Sequence, residues 1–328
     1  MFDLIPQDDY PHVTGSEPSW REAYSFDFFD SASRLSAFGI LGVHPNLQMG
    51  DCIFALWRDD ILLAKSAKWD YSVPQEIGDE RQQFGPLAFR PIAPFKSWEI
   101  FYDDGYCRLD LSFDSIHAPY CWERGGEGAG ASASRHYQQQ GRYRGVVRVG
   151  KDSIPVQGLG SRDHGWGADA RPGMRRWLAA SAQFTEKLAF QVLQMTLADG
   201  RDLLFGYVFR GARNEALVRS RLSATYSLRN GAPSSSNLDL TTAGGDRLTA
   251  VMRVLSAYNT SFQERNQQGF RFLCAAEFQM ENQTGFGRLH SYWSSPKTRP
   301  EEWRIELPGA APSGQPDKPR KNFDDTIF

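Results

Sequence analysis

The sequence predicts an all-β protein made of two consecutive antiparallel domains, each a barrel or a sandwich, with little helix. Short apolar runs recur with turn signals about every 8 to 12 residues, and no segment keeps a helical period for long. The 328 residues include 9 Trp, 12 Tyr and 22 Phe, which pack well on pleated surfaces. A chain of this length exceeds the usual size of one domain, which favours two.

The first predicted domain contains several short apolar runs that predict strands. Aromatic side chains are frequent in 20–29, and a second apolar run covers 36–43. Two further runs, 52–57 and 61–64, are separated by Arg-Asp-Asp and predict a hairpin. The clearest strand is 106–116, in which apolar and polar residues alternate as in a sheet with one buried face.

Another predicted hairpin leads into a glycine-rich motif near the middle of the chain. Its arms are 143–149 and 154–157, and it turns at 150–152. The preceding stretch, 124–135, is rich in Gly, Ala and Ser. Such a composition is typical either of a flexible connector or of a lid beside a site.

The second half repeats the pattern of short strands. Asn230 and Gly231 form a dipeptide that strongly favours a hairpin turn. The predicted strands of this half are 177–184, 188–197, 202–209, 224–228, 248–257, 270–280 and 287–293.

Turn-forming residues near 168–175 predict the junction between the two domains. The tail is dominated by Pro, Gly, Lys and Asp, a composition that cannot bury enough apolar surface to fold. The resulting division is an N-terminal arm (1–19), an N-terminal β domain (20–170), a C-terminal β domain (171–307) and a disordered tail (308–328).

Composition excludes several classes of protein. The net charge is -2 and the basic residues are spread along the chain, which argues against nucleic acid as a partner. No run approaches the ~18 apolar residues of a membrane helix and the start is not a signal peptide, so we expect a cytoplasmic protein. The four cysteines lack CxxC spacing, which predicts buried, reduced thiols. The oligomeric state is not predicted.

The stretch Gly158–Gly167 concentrates the candidate functional groups. Its sequence, GLGSRDHGWG, places Arg162, Asp163, His164 and Trp166 between glycines. Glycine allows sharp backbone bends and close approach of a ligand, so we interpret the stretch as an active-site bend at the end of a strand. A strand-end bulge with a surface ion pair and a core tryptophan is the structural alternative.

Side-chain alternation limits which of these residues can share a cavity. In a regular strand Asp163 faces one side, while Arg162, His164 and Trp166 face the other, unless the glycines impose a bulge. In an apolar cavity, desolvation would disfavour the charged form of Asp163, which could then hold a proton and act as general acid. His164 would orient that acid or act as base, and Arg162 would oppose its protonation.

Four residues outside the stretch are candidate ligand contacts. Tyr137 and Gln139 lie in the His-Tyr-Gln-Gln segment 136–139, which either hydrogen bonds to a ligand or is surface. Glu277 interrupts an apolar strand and is predicted either at an exposed edge or inside a barrel. His290 is predicted either to contact a ligand or to be a hydrogen-bonded structural histidine.

No metal or cofactor site is predicted. Asp163, His164, His136 and His290 could gather around a metal, but their spacing follows no metal-binding pattern. The sequence lacks GxGxxG, P-loop and GxSxG motifs, so nucleotide-binding and serine-hydrolase functions are not favoured.

Three segments together carry a family resemblance: HYQQ at 136–139, GVVRV at 145–149 and GLGSRDHGWG at 158–167. They resemble the carotenoid 1,2-hydratase (hydroxyneurosporene synthase) superfamily, whose hallmark is an Arg-Asp-His-x-Trp-Gly core. The resemblance implies two consecutive lipocalin-like β-barrel domains. It also implies alkene hydration, cyclisation or pericyclic chemistry without a redox cofactor.

The resemblance also implies roles for individual residues. It places the proton-donating acid at Asp163, with His164 and Trp166 lining the same pocket. Relatives often carry an arginine soon after the Trp-Gly pair. Here Arg171 follows only after Ala-Asp-Ala, so no role is assigned to it.

We therefore predict a cofactor-independent lyase, hydratase or cyclase acting on an apolar small molecule, isoprenoid or aromatic. Protonation by Asp163 would form a carbocation that aromatic side chains stabilise. The alternative is a non-catalytic, lipocalin-like carrier of a hydrophobic ligand, for which the same barrel suffices. An acid beside a histidine favours the enzyme, because a carrier does not need one.

Overall fold

Within the residues that the structure describes, the chain is almost entirely antiparallel β-structure. The computed structural model describes residues 3–73, 81–124, 134–168, 174–227, 231–260, 262–264, 267–295, 299 and 302–306. Two short 3-10 helices, Pro6–Asp9 and Pro45–Leu47, accompany the strands. The strands are β1 (Trp20–Asp30), β2 (Leu35–His44), β3 (Met49–Arg58), β4 (Ile61–Ser72), β5 (Gln82–Phe84), β6 (Leu87–Ala93), β7 (Ser97–Asp103), β8 (Cys107–Ser115), β9 (Tyr120–Arg124), β10 (Ser134–Val149), β11 (Asp152–Ala168), β12 (Met174–Thr185), β13 (Leu188–Leu197), β14 (Asp202–Arg210), β15 (Arg213–Tyr226), β16 (Pro233–Thr242), β17 (Arg247–Asn259), β18 (Phe262–Glu264), β19 (Gln267–Met280), β20 (Gln283–Trp293) and β21 (Glu302–Glu306).

Strands β1–β11 form the first barrel. They pair in the order β4-β3-β2-β1-β11-β10-β8-β7-β6-β5, with β9 on β10, and the sheet closes or nearly closes on itself. Inward side chains fill the interior, among them Phe26, Phe54, Phe89 and Phe113. A void of about 10 Å³ beside Phe26 and Tyr143 has room for one water. The interior is therefore a packed core.

Strands β12–β21 form the second barrel. They pair in the order β14-β13-β12-β20-β19-β17-β16-β15-β21, and an additional β14–β15 pairing closes the sheet. The interior is filled by a second apolar core that includes Phe190, Leu238, Phe272, Phe278 and Trp303. The predicted all-β fold with two lipocalin-like domains and little helix is confirmed.

The two barrels pack through the outer faces of their sheets. Phe38 and Trp57 of the first barrel pack against Leu273 of the second. Phe29 stacks on Phe286 with ring centroids 3.9 Å apart. Because strands β1, β10 and β11 face β12 and β20 across this contact, residues of the central motif lie between the barrels.

The N-terminal arm is anchored on the first barrel. The 3-10 helix Pro6–Asp9 places Asp9, which is fully buried, where its carboxylate accepts hydrogen bonds from the Phe95 amide (2.6 Å) and the Trp98 indole (3.1 Å). The arm therefore contributes a charged group to the barrel core, which its polar sequence did not indicate.

The glycine-rich motif lies within a regular strand, so the predicted bend is wrong. Strand β11 pairs with β1 from Leu159 to Ala168 and with β10 from Asp152 to Trp166, in both cases without a register shift. A Cβ at Gly158 would lie 2.5 Å from the Phe29 carbonyl oxygen. Glycine here lets neighbouring chain segments approach closely instead of turning the strand.

Other features of the chain bear on the sequence predictions. The four cysteines are buried and form no disulfide bond among the described residues, as predicted. No helix within the described ranges is long and apolar enough to cross a membrane. Most of the glycine-rich stretch (125–133) and the tail from 307 onward lie outside the described residues, as does Asn230.

Candidate active site

A cavity of about 160 Å³ lies between the two barrels. Outward-facing residues of β1, β2, β10 and β11 line one side, and those of β12, β13, β19 and β20 line the other. Apolar lining residues include Phe38, Ile40, Trp177, Leu193 and Met195. The polar lining residues are Arg21, Ser25, His136, Gln138 and Asp163 from the first barrel and Gln191, Arg271, Arg288 and His290 from the second.

Asp163 is held at the cavity by two neighbours on β10. Gln138 lies directly opposite Asp163 in the strand pair, and its amide nitrogen donates to Asp163 Oδ2 at 2.6 Å. His136 Nε2 makes a hydrogen bond to the same oxygen. The Asp163 side chain is 12% exposed, and its Oδ1 makes no hydrogen bond to any described residue. One carboxyl oxygen is thus fixed and the other is open to a ligand.

Gly165 makes room for the His136 ring. The two residues are direct partners across β10 and β11. A Cβ at Gly165 would lie 2.6 Å from His136 Nδ1, which is too close for any side chain. The glycine is therefore needed for His136 to reach Asp163.

The second barrel supplies basic and aromatic groups. Arg271 Nε donates to His290 Nε2 at 2.7 Å, and the Trp177 ring meets the His290 ring edge-on at 4.4 Å. Burial, with the nearby charges of Arg271 and Arg288, holds the pKa of His290 well below its usual value. His290 is therefore neutral, with its proton on Nδ1.

The opposite face of β11 serves the core of the first barrel. Arg162 is buried, and its Nη1 donates to Asp9 at 2.7 Å while Nε and Nη2 donate to Gln139 Oε1. The Tyr137 hydroxyl also donates to Asp9. Burial alone would raise the pKa of Asp9, but Arg162 and Tyr137 hold it below its usual value. Arg162 thus pairs with the arm and not with Asp163.

His164 belongs to a second buried polar network. Its Nε2 makes a hydrogen bond to Glu22 at 2.5 Å, and its Nδ1 lies 2.9 Å from the Asp8 carbonyl oxygen. His12 also contacts Glu22, at 2.9 Å, and stacks on Trp166 at 4.0 Å. Burial would lower the pKa of His12, but Glu22 and Asp8 raise it above its usual value. The network fastens the arm to β1 and β11.

Among the described residues, His12, Glu22 and His164 form the group whose donor atoms could hold a metal, all within 4.8 Å of one another. Both ring nitrogens of each histidine already face oxygen atoms of Glu22 or Asp8. Hydrogen bonds account for these contacts, so the geometry does not require a metal.

The structure brings together only part of the predicted site. Asp163, Trp166 and His290 line the cavity. The expectation that His164 lines the same pocket is wrong, because unbroken alternation directs it into the first barrel. Arg162, Tyr137 and Gln139 point inward with it for the same reason, and none of them lies at the surface. Glu277 lies on the outer face of β19, paired with Arg253 at 3.4 Å, away from the cavity.

Sequence reasoning missed several cavity residues. His136 and Gln138 belong to the same segment 136–139 as the predicted contacts Tyr137 and Gln139. They lie on the opposite face of the strand, which is the face that lines the cavity. Continuing the strand pairing outward from the hairpin turn at 150–151 places Gln138 opposite Asp163. This register could have identified Gln138 as a neighbour of Asp163 from the sequence. Arg288 lies two residues before His290 and therefore on the same face of β20.

The fold and the cavity define a class: two-domain lipocalin-like β proteins with a cavity between the barrels that is lined by polar and aromatic residues. The chain belongs to the family described as a domain of unknown function (DUF7064), whose sequence model matches residues 5–296. None of the curated proteins compared with the sequence matches it significantly.

Solved structures of other proteins share the architecture. An AttH candidate from Nitrosomonas europaea is 14% identical with a TM-score of 0.65, over 89% of this chain and 97% of that one. Kievitone hydratase from Nectria haematococca is 9% identical with a TM-score of 0.64, over 89% and 93%. CghA with Sch210972 is 11% identical with a TM-score of 0.57, over 92% and 95%. At these identities the likeness establishes the fold alone.

Proposed function

We propose that the protein is a cofactor-independent lyase of the hydratase or cyclase type, in which Asp163 protonates an alkene bound between the barrels. The observation that carries this proposal is the Asp163 carboxyl group, with Oδ2 fixed by His136 and Gln138 and Oδ1 open to the cavity. A positioned acid beside a cavity is the arrangement that general acid catalysis needs.

The hydrogen bonds determine where a transferable proton would lie. Gln138 can only donate to Oδ2 through its amide nitrogen, and His136 donates to the same oxygen when its Nε2 carries a hydrogen. A proton on Asp163 is then carried by Oδ1, on the side of the ligand. After transfer, the carboxylate formed accepts from both neighbours, so the negative charge develops where donors already point.

The cavity sets the size of the reacting group. A volume of about 160 Å³ is close to that of a cavity known to hold benzene, ~150 Å³. We infer that one ring or one isoprene-sized unit enters the cavity and that the rest of a larger substrate extends beyond it. Trp177 also lines the cavity, and its aromatic ring is the group that we expect to stabilise a developing cation. Kievitone hydratase, by its name a hydratase, has the same fold.

A screen in deuterated water tests the proposal. Purified protein is incubated with terpenoid and aromatic alkenes, and products are followed by nuclear magnetic resonance. General acid protonation predicts one carbon-bound deuterium per turnover in at least one product. Products without deuterium would contradict proton delivery to carbon.

The same screen separates the enzyme from a carrier. A carrier of hydrophobic ligands would bind members of the panel without converting any of them. Saturable binding with no turnover across the panel would therefore favour the carrier.

A further inference from the structure

Arg288 is a buried cation directed at the cavity without a hydrogen-bond acceptor. Only 7% of the residue is exposed, yet its Nε makes no hydrogen bond. Its nearest carboxylate oxygen is Asp27 Oδ1, at 3.5 Å, and its guanidinium lies over the Phe38 ring at 4.7 Å. Among the described residues no acceptor satisfies the guanidinium with ordinary geometry. Burying unsatisfied donors of this strength is costly.

Asp27 compensates this charge only in part. Its carboxylate also accepts from the Ser161 hydroxyl, and burial raises its pKa. Arg271 is a second buried cation on the same side of the cavity. Asp27 belongs to the first barrel and is the carboxylate nearest to Arg288, so among the described residues the charge of Arg288 is compensated only in part.

His290 adds a neutral donor beside Arg288. The two residues lie on the same face of β20 and both line the cavity. His290 Nε2 accepts from Arg271, so its proton is on Nδ1, and no described residue accepts from Nδ1. Arg288 and His290 therefore present N–H groups to whatever occupies this side.

We propose that Arg288 and His290 form a subsite for a negatively charged or polarised oxygen of the substrate, of the enolate or phenolate type. This inference rests on the proposed function, because it gives the substrate an orientation: the oxygen lies on the second barrel and the reacting double bond lies towards Asp163. The substrate is then an oxygenated alkene or arene and not the purely apolar molecule that the sequence predicted.

An unreactive probe tests the subsite separately from catalysis. 4-Nitrophenol is suitable because its phenolate absorbs at a different wavelength from the phenol and its ring suits the cavity. In the wild-type protein we expect a larger ionised fraction of bound probe than of free probe at the same pH. Nitrobenzene, which lacks the phenolic oxygen, should bind more weakly. No preference for the phenolate, or equal affinity for nitrobenzene, would overturn the proposal.

Variants locate the effect. Arg288→Met should weaken phenolate binding roughly 10- to 100-fold, the usual effect of a hydrogen bond to a charged group, and Arg288→Lys should retain part of it. Arg253→Met, at the exposed partner of Glu277, is the matched control and should bind as wild type. Should Arg288→Met fail to fold, full wild-type phenolate affinity in Arg288→Gln would contradict the proposal equally.

The two proposals can fail independently. Asp163→Asn should still bind 4-nitrophenolate, because the oxygen subsite is on the other barrel. Turnover that depends on Asp163 without any phenolate preference would overturn the oxygen subsite alone. A phenolate preference in a protein that converts no alkene would overturn the proposed lyase and leave the subsite standing.

Discussion

At the scale of single residues, the charged groups inside the first barrel are compensated by specific partners. Arg162 and Asp9 are buried together, 1% and 0% exposed, at 2.7 Å. Gln139 and Tyr137 supply the remaining hydrogen bonds. Removing one member of such a pair leaves the other charge buried without a partner, which strongly destabilises the folded state. Replacing both members by apolar residues of similar size usually has a much smaller effect on stability. The arm is therefore coupled to barrel stability through Asp9.

Asp9→Asn should lower the free energy of unfolding by about 3–5 kcal/mol, the usual cost of breaking a buried ion pair. Chemical denaturation monitored by tryptophan fluorescence measures the change. Asp59→Asn is the matched control, since Asp59 pairs with Arg34 at the surface and should cost less than about 1 kcal/mol. Equal losses in the two variants would show that the buried pair is not the anchor of the arm.

At the scale of the strand, the site depends on strict alternation along β11. Asp163 faces the cavity while Arg162 and His164 face the barrel core, so adjacent residues of one motif line the cavity and the core respectively. Gly165 preserves this division, because it admits the His136 ring from β10.

Gly165→Ala should displace His136 from Asp163 and leave the barrel folded. We expect a loss of turnover of roughly 10²-fold, the lower end of what a positioned acid or base group contributes. Gly105→Ala is unsuitable as a control although the space around Gly105 is open, because alanine would be strained at its φ of +85°. Gly244→Ala is the matched control, because it lies in a turn of the second barrel and an added Cβ would come closest to the Glu215 side chain, at 3.2 Å. Unchanged turnover in Gly165→Ala would exclude His136 as a positioning residue.

Much of this strand-level picture could be predicted from the sequence. Period-two alternation gave the faces of Asp163 and His164 correctly for a regular strand. The error was to let the glycines bend the strand so that both residues met. Glycine content alone cannot distinguish a bend from a close approach of neighbours, because both exploit the missing Cβ. The contact of Asp9 with Arg162 joins residues 153 positions apart, and no local pattern carries it.

At the scale of the whole molecule, the barrels are scaffolds and the cavity lies between them. Each barrel interior is packed by its own apolar core, so a ligand cannot occupy the interior as it would in a single open lipocalin-like barrel. The first barrel provides the acid, and the second provides Arg271, Arg288 and His290. The cavity is lined by residues of both barrels, and no local sequence pattern predicts that residues as far apart as Asp163 and Arg288 line the same cavity.

The turnover of Asp163→Asn, measured together with its melting temperature, tests the central claim most directly. The asparagine keeps the size of the side chain and accepts from Gln138, but it cannot deliver a proton. Turnover should fall by ~10²–10⁴-fold, as is usual for loss of a general acid, while ligand affinity changes little and the melting temperature stays near that of the wild type. A variant that melts at lower temperature but turns over substrate normally would contradict the account and make Asp163 a structural residue.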